Sequence, residues 1–113
     1  MNQTPLTDPM IDEATRIFHA LSDPSRLKLL RLLMAAQGTV AQSVLAEGTG
    51  LSQANASKHL ICLAQAGLVV REREGNQALF RLRGPLVREV CGRLKEHVVT
   101  RTQSAYQSLQ PEA

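Results

Sequence analysis

Tryptophan is absent from this 113-residue chain, and only three aromatic rings occur, Phe18, Phe80 and Tyr106. Rings so few and so scattered argue against recognition of RNA or single strands by base stacking. Cysteine is nearly as scarce: Cys62 and Cys91 are too few for a disulfide scaffold, so a reducing cytoplasm is the expected setting. No uninterrupted apolar run exceeds five residues, against the ~20 needed to span a bilayer, so no membrane partner is expected. Met1 to Met10 shows neither the basic segment nor the apolar stretch of a secretory signal. Paired carboxylates, a Ser/His/Asp order and a phosphate loop ending in Gly-Lys-Ser/Thr are also missing, which points away from an enzyme. Acidic excess is missing too, since thirteen Lys and Arg against ten Asp and Glu leave a net charge of +3.

What is present suits one domain with a real core, the apolar fraction being 43%. The surplus charge is local. Residues 52 to 83 hold Lys58, Arg71, Arg73, Arg81 and Arg83 against Glu72 and Glu74, while the rest of the chain is balanced. Residues 1–8 read as a flexible N-terminus, 9–99 as the domain, and 100–113 as a helical extension or tail. Within the domain, Met10, Ala14, Phe18 and Leu21 recur at helical spacing. Asp23-Pro24 opens a second helix, rich in leucine from Leu27 to Leu33 and expected to be the most buried, with Gly38 as its left-handed cap. Thr39 and Gln42 have the spacing of a capping box for a short third helix. Ser52 caps a fourth that stops at Gly67.

Beyond Gly67 the period changes from helix to strand. Leu68 to Arg73 and Ala78 to Arg83 flank a Glu74-Gly75-Asn76 turn, which predicts a β-hairpin with a polar tip. Helical spacing returns in Val87, Val90, Cys91, Leu94 and Val98. The fold class is therefore mainly α with a small β-hairpin, in the order α-α-α-α-β-β-α: a winged helix-turn-helix.

That arrangement is a device for gripping duplex DNA. On the fourth helix Ala56, Leu60 and Leu63 share the core face. The other face offers Gln53, Ala54, Ser57 and Lys58, with Asn55 and His59 at its margins. Gln and Asn pair with adenine in two-point fashion, Ser reaches bases or phosphate, and Lys neutralises phosphate or reads guanine. Arg71 and Arg73, with Arg81 and Arg83, alternate along the wing, where those on one face can follow a phosphate backbone. Asn76 and Gln77 at the tip suit the minor groove, and Glu72 and Glu74 are expected to point away. A winged-helix module that binds protein instead of DNA is the competing reading.

Several motifs in the right order resemble the ArsR/SmtB family of bacterial winged-helix repressors. They are Ala20-Leu21-Ser22-Asp23-Pro24-Ser25-Arg26-Leu27, Leu51-Ser52-Gln53, Ser57-Lys58-His59-Leu60 and Ala66-Gly67-Leu68-Val69, with Arg73, Gly75 and Leu82 in the wing. The resemblance spans roughly residues 12 to 98. It implies a homodimer joined through the first and last helices, bound to double-stranded operator DNA and released by a small inducer. The apolar stripes on those two helices suit such a seam, or equally internal packing.

The family's metal sites leave patterns that fail here. A Cys-x-Cys pair before the recognition helix is replaced by Ala41 and Ser43. A four-ligand site on the last helix is reduced to His97, its other positions reading Gly84, Leu86 and Thr100. A Cys-x-x-x-Cys pair on the recognition helix keeps Cys62 but has Ala66 at the second place. No metal or other cofactor is therefore assigned, although His59 and Cys62 lie close enough for a non-standard, metal-responsive site. His19 and His97 read as surface or packing residues. The candidate effector thiols are Cys62, beside Lys58 and His59, and Cys91 on the last apolar stripe, where a free Cys is also an ordinary small hydrophobe.

Overall fold

A computed structural model describes residues 4–109, with side chains described through Gln103. The element order is α1 (Asp8–Leu21), α2 (Pro24–Ala35), β1 (Val40–Ala41), α3 (Gln42–Thr49), α4 (Gln53–Gln65), β2 (Val69–Glu74), β3 (Gln77–Leu82) and α5 (Leu86–Leu109). Residues 1–3 and 110–113, parts of the expected N-terminus and tail, lie outside the described residues. Residues 100–109 continue α5.

Side-chain chemistry sets the helix starts. Thr7 accepts from the Met10 amide, Asp23 from Arg26 and Ser52 from Asn55, each satisfying an amide that has no partner within its helix. The α4 end is equally defined: Gly67 adopts φ +78°, and the Leu68 amide reaches back to the Leu63 carbonyl at 3.0 Å. The last carbonyls of α2 are met from far along the chain. Arg88 of α5 donates to Met34 O at 2.7 Å and Ala36 O at 3.4 Å.

Three expectations need correction. The Thr39–Gln42 capping box does not form, because α3 is capped by Ala41 without a side-chain bond. Val40 and Ala41 instead pair antiparallel with Phe80 and Leu79, turning the wing into a three-stranded sheet of order β1-β3-β2. Gly38 does not cap α2: the cap is Ala36, in an extended conformation, and Gly38 sits beyond it at φ +133°.

The core lies where α2, α3, α4 and the root of the sheet meet. Leu29, Leu30, Leu33, Leu45, Leu60, Leu63 and Phe80 are all within 1% of full burial. Ala56, Leu60 and Leu63 take the inner face of α4, as their spacing predicts. Leu27 does not join its α2 neighbours in the core; it is 37% exposed. The stripes of α1 and α5 stay largely outside. Met10, Phe18, Leu94 and Val98 are exposed, and Val87 alone of the α5 stripe is buried.

The Asp23 cap carries a pH signature. The Arg26 amide, reinforced by the Arg26 guanidinium, holds the Asp23 carboxyl below its ordinary 3.8. A depressed folded-state value stabilises the fold above the ordinary aspartate range, and that contribution is lost as pH falls through the depressed value. Asp23→Ala is expected to lower the melting temperature near neutral pH. The gap from the wild type should close as the pH falls below the ordinary aspartate range and the carboxyl protonates, as thermal scans at a series of pH values will show.

Candidate nucleic-acid interface

The functional geometry begins with the two residues on which α3 and α4 start. Gln42 opens α3 and Gln53 opens α4. The Gln42 Nε2 donates to the Gln53 carbonyl at 3.4 Å and to Gln53 Oε1 at 3.3 Å, so the two helix starts are tied across the turn. On the exposed side of this tie lies a polar cleft of about 410 Å³ between the helix-turn-helix and the wing.

Of the residues singled out in the sequence, the structure brings Gln53, Ser57, Arg71, Arg73, Asn76 and Gln77 to this cleft. Ala54, Asn55 and Lys58 are exposed on α4 beside it and do not line it. Ser57 is half-buried.

Strand register explains the split among the wing arginines. Val69 pairs with Leu82, Arg71 with Phe80 and Arg73 with Ala78, and paired residues share a face. Arg71 and Arg73 thus continue the core face of the sheet outward over the cleft. Arg81 pairs with Val70 and belongs to the opposite face, where its Nε meets Glu72 Oε1 at 2.8 Å. Among the described residues neither Arg71, Arg73 nor Lys58 makes an ion pair, so their charge is available to a ligand.

His59 turns the other way. Arg26 Nη1 lies 3.3 Å from His59 Nδ1, within reach to donate to that nitrogen when it carries no proton. Asp23 Oδ2 faces the same nitrogen at 3.9 Å. The same Arg26 donates to Ala20 O at 2.6 Å and His19 O at 3.2 Å. His59 therefore fixes the middle of α4 against the α1–α2 corner instead of extending its outer face.

Both cysteines are free and half-buried, and they line different cavities. Cys62 joins Arg16 and His19 in a space of about 310 Å³ between α1 and α4. Cys91 lies in an apolar groove of about 680 Å³ with Phe18, Leu21, Leu27, Val90 and Leu94. Burial there pushes the Cys91 thiol pKa up, away from the reactive thiolate. Among the described residues no three His, Cys, Asp or Glu side chains gather as a metal-holding group. No described helix is long and apolar enough to cross a membrane.

The role of Gln42 escaped sequence reasoning because its spacing from Thr39 imitates a cap. The signal that could have found it is its place at a helix start, one turn-connection before Gln53.

Known proteins carry the same architecture. A family model described as a helix-turn-helix domain matches residues 21–72. The "Probable mercury resistance operon repressor" of Streptomyces lividans is 38% identical over 88 residues, covering 78% of this chain and 67% of its own length. The transcriptional regulator CmtR of Mycobacterium bovis is 36% identical over 95 residues, covering 83% and 79% of the two chains. A solution structure from Mycobacterium bovis superposes with a TM-score of 0.68 at 29% identity, covering 100% of this chain and 99% of that one. It is described as the homodimeric winged helix-turn-helix DNA-binding domain of a possible ArsR-family regulator. With its motifs, its helix-turn-helix and its wing in register with these regulators, the chain belongs to the ArsR/SmtB family of winged helix-turn-helix transcriptional regulators.

Proposed function

We propose that the protein is a homodimeric repressor that binds a sequence-specific operator and leaves it when a small inducer acts. The observation that carries this reading is the cleft in which Gln53 and Ser57 of α4 face Arg71 and Arg73 of the wing, with Lys58 exposed beside it. An α-helix fits the ~12 Å major groove, and the wing arginines then lie along the adjoining phosphates. A two-fold dimer sets two such helices on a near-palindrome with half-sites about 34 Å apart, or a multiple of that. The exposed apolar faces of α1 and α5 supply the seam.

Gel shifts against the DNA upstream of its own gene, at two salt concentrations, test the reading. A steep salt dependence with a sequence preference supports it; flat, unselective binding supports a protein-interaction module instead. Arg71→Ala and Arg73→Ala should each reduce the slope of log affinity against log salt by about 1. Arg81→Ala should leave it unchanged, since Arg81 lies on the opposite face and is already paired with Glu72. Gln53→Ala should lose roughly 1–3 kcal/mol on the preferred sequence and relax the preference at one base pair of each half-site.

For the inducer, the two thiols remain the candidate targets. Bulk added at Cys62 would press α1 from α4, and bulk at Cys91 would fill the seam. A thiol-alkylating reagent should then release the wild type but not a protein carrying both Cys62→Ser and Cys91→Ser. Equal release of the two proteins rejects the thiol reading. A metal-responsive repressor is the second reading, favoured by His19 and Cys62 lining one cavity; mass spectrometry of the purified protein for bound metal tests it.

A further inference from the structure

The amide of Gln53 is oriented by a hydrogen bond from α3. Gln42 presents one group to both the main-chain oxygen and the side chain of Gln53, at 3.4 and 3.3 Å. A main-chain carbonyl only accepts, so that group is the Gln42 NH2. An NH2 only donates, so the Gln53 atom facing it is Oε1. The Gln53 NH2 is therefore directed away from α3.

We infer that Gln42 is a specificity-determining positioning residue, holding Gln53 as a hydrogen-bond donor so that its reading position selects guanine over adenine. This rests on the operator-binding reading above. A free glutamine favours adenine because its oxygen accepts from N6 while its NH2 donates to N7. Here Oε1 already accepts from Gln42 on the α3 side, which leaves the NH2, not the oxygen, as the group best placed to meet a base edge and puts N6 at a disadvantage. Guanine offers two acceptors, N7 and O6, to the two hydrogens of one NH2. Thymine offers O4 alone, and the cytosine edge offers only a donor, so cytosine ranks last. The tie is well anchored at both ends. Gln42 follows directly on β1, itself paired with β3, and Gln53 follows the Ser52 cap.

The test selects binding sites from a random duplex library with the full chain and sequences the bound pool. It compares the wild type with Gln53→Ala, Gln42→Met, Gln42→Glu and the Gln42→Met/Gln53→Ala double variant. Methionine keeps the length of Gln42 and removes its hydrogen bonds. Glutamate only accepts, so it captures the Gln53 NH2 and turns Oε1 toward the DNA; its charge at a helix start also favours folding. Gln53→Ala should flatten one base pair per half-site, and the wild type should hold guanine there. Gln42→Met should move the guanine-to-adenine ratio at that pair toward adenine by about tenfold, with the salt slope unchanged. Gln42→Glu should move it further, and the double variant should match Gln53→Ala.

Adenine at that pair in the wild type overturns the inference. So does a Gln42→Met protein that keeps the wild-type preference, or one that weakens every position alike while melting normally. A wild type that selects no sequence at all refutes the operator reading itself, and this inference with it; that outcome shows in the wild-type arm alone.

Discussion

Phe18→Glu is expected to leave the chain folded and to make it monomeric, with operator affinity reduced by about 100-fold or more. Phe18 is 65% exposed in the single chain, so its replacement removes little from the core of one protomer. It lies in the apolar groove with Leu21, Leu27, Val90 and Leu94, a surface that water leaves only if a second copy covers it. A glutamate there would place a carboxylate from each protomer in an apolar seam, a desolvation cost that Arg93 at the groove's edge offsets only in part. Losing the dimer forfeits simultaneous engagement of two half-sites, which is the origin of the large effect. Sedimentation together with circular dichroism separates monomer formation from unfolding. Leu94→Glu, on the facing helix at 50% exposure, should repeat the result. A Phe18→Glu protein that remains a dimer would refute this seam.

Phe80→Ala should have the largest effect on stability, about 3–5 kcal/mol. Phe80 is wholly buried, and it sits where β3 pairs on one edge with Val40 and on the other with Arg71. Its truncation leaves a void beneath the sheet that α2 and α4, fixed by their own leucines, cannot close without moving. Set against a typical total of 5–15 kcal/mol, the loss brings the protein near its unfolding threshold. Urea denaturation checks the magnitude. Because Arg71 shares the Phe80 face, the wing arginine nearest the core should also lose its fixed placement, and operator binding should weaken before the chain unfolds.

Much of this architecture is legible in local sequence because local chemistry decides it. Asp23-Pro24 starts α2 whatever surrounds it, Gly67 supplies the positive φ that ends α4, and the period of Ala56, Leu60 and Leu63 fixes which side of α4 faces inward. The parts that escaped depend on partners distant in the chain. Val40 and Ala41 become a strand only because Leu79 and Phe80 lie beside them, and that pairing, not Thr39, sets where α3 begins. Leu27 has the composition of a core residue and the position of a groove residue, a distinction that needs α5 in place. The orientation of His59 depends on Arg26, thirty-three residues earlier. The separation of Arg71 and Arg73 from Arg81 follows from strand register, which alternation alone leaves undetermined.

The third strand reaches only as far as Leu79. From Arg73–Ala78 outward the wing is a two-stranded ribbon, clamped at its root and unsupported at its tip, and isolated ribbons of this kind are only marginally rigid. It behaves as a cantilever. Amide exchange should be slowest near Phe80 and quicken steadily toward Gly75. The distal arginine can therefore follow local variation in groove width, while the anchored end keeps constant aim on the base edges beside it.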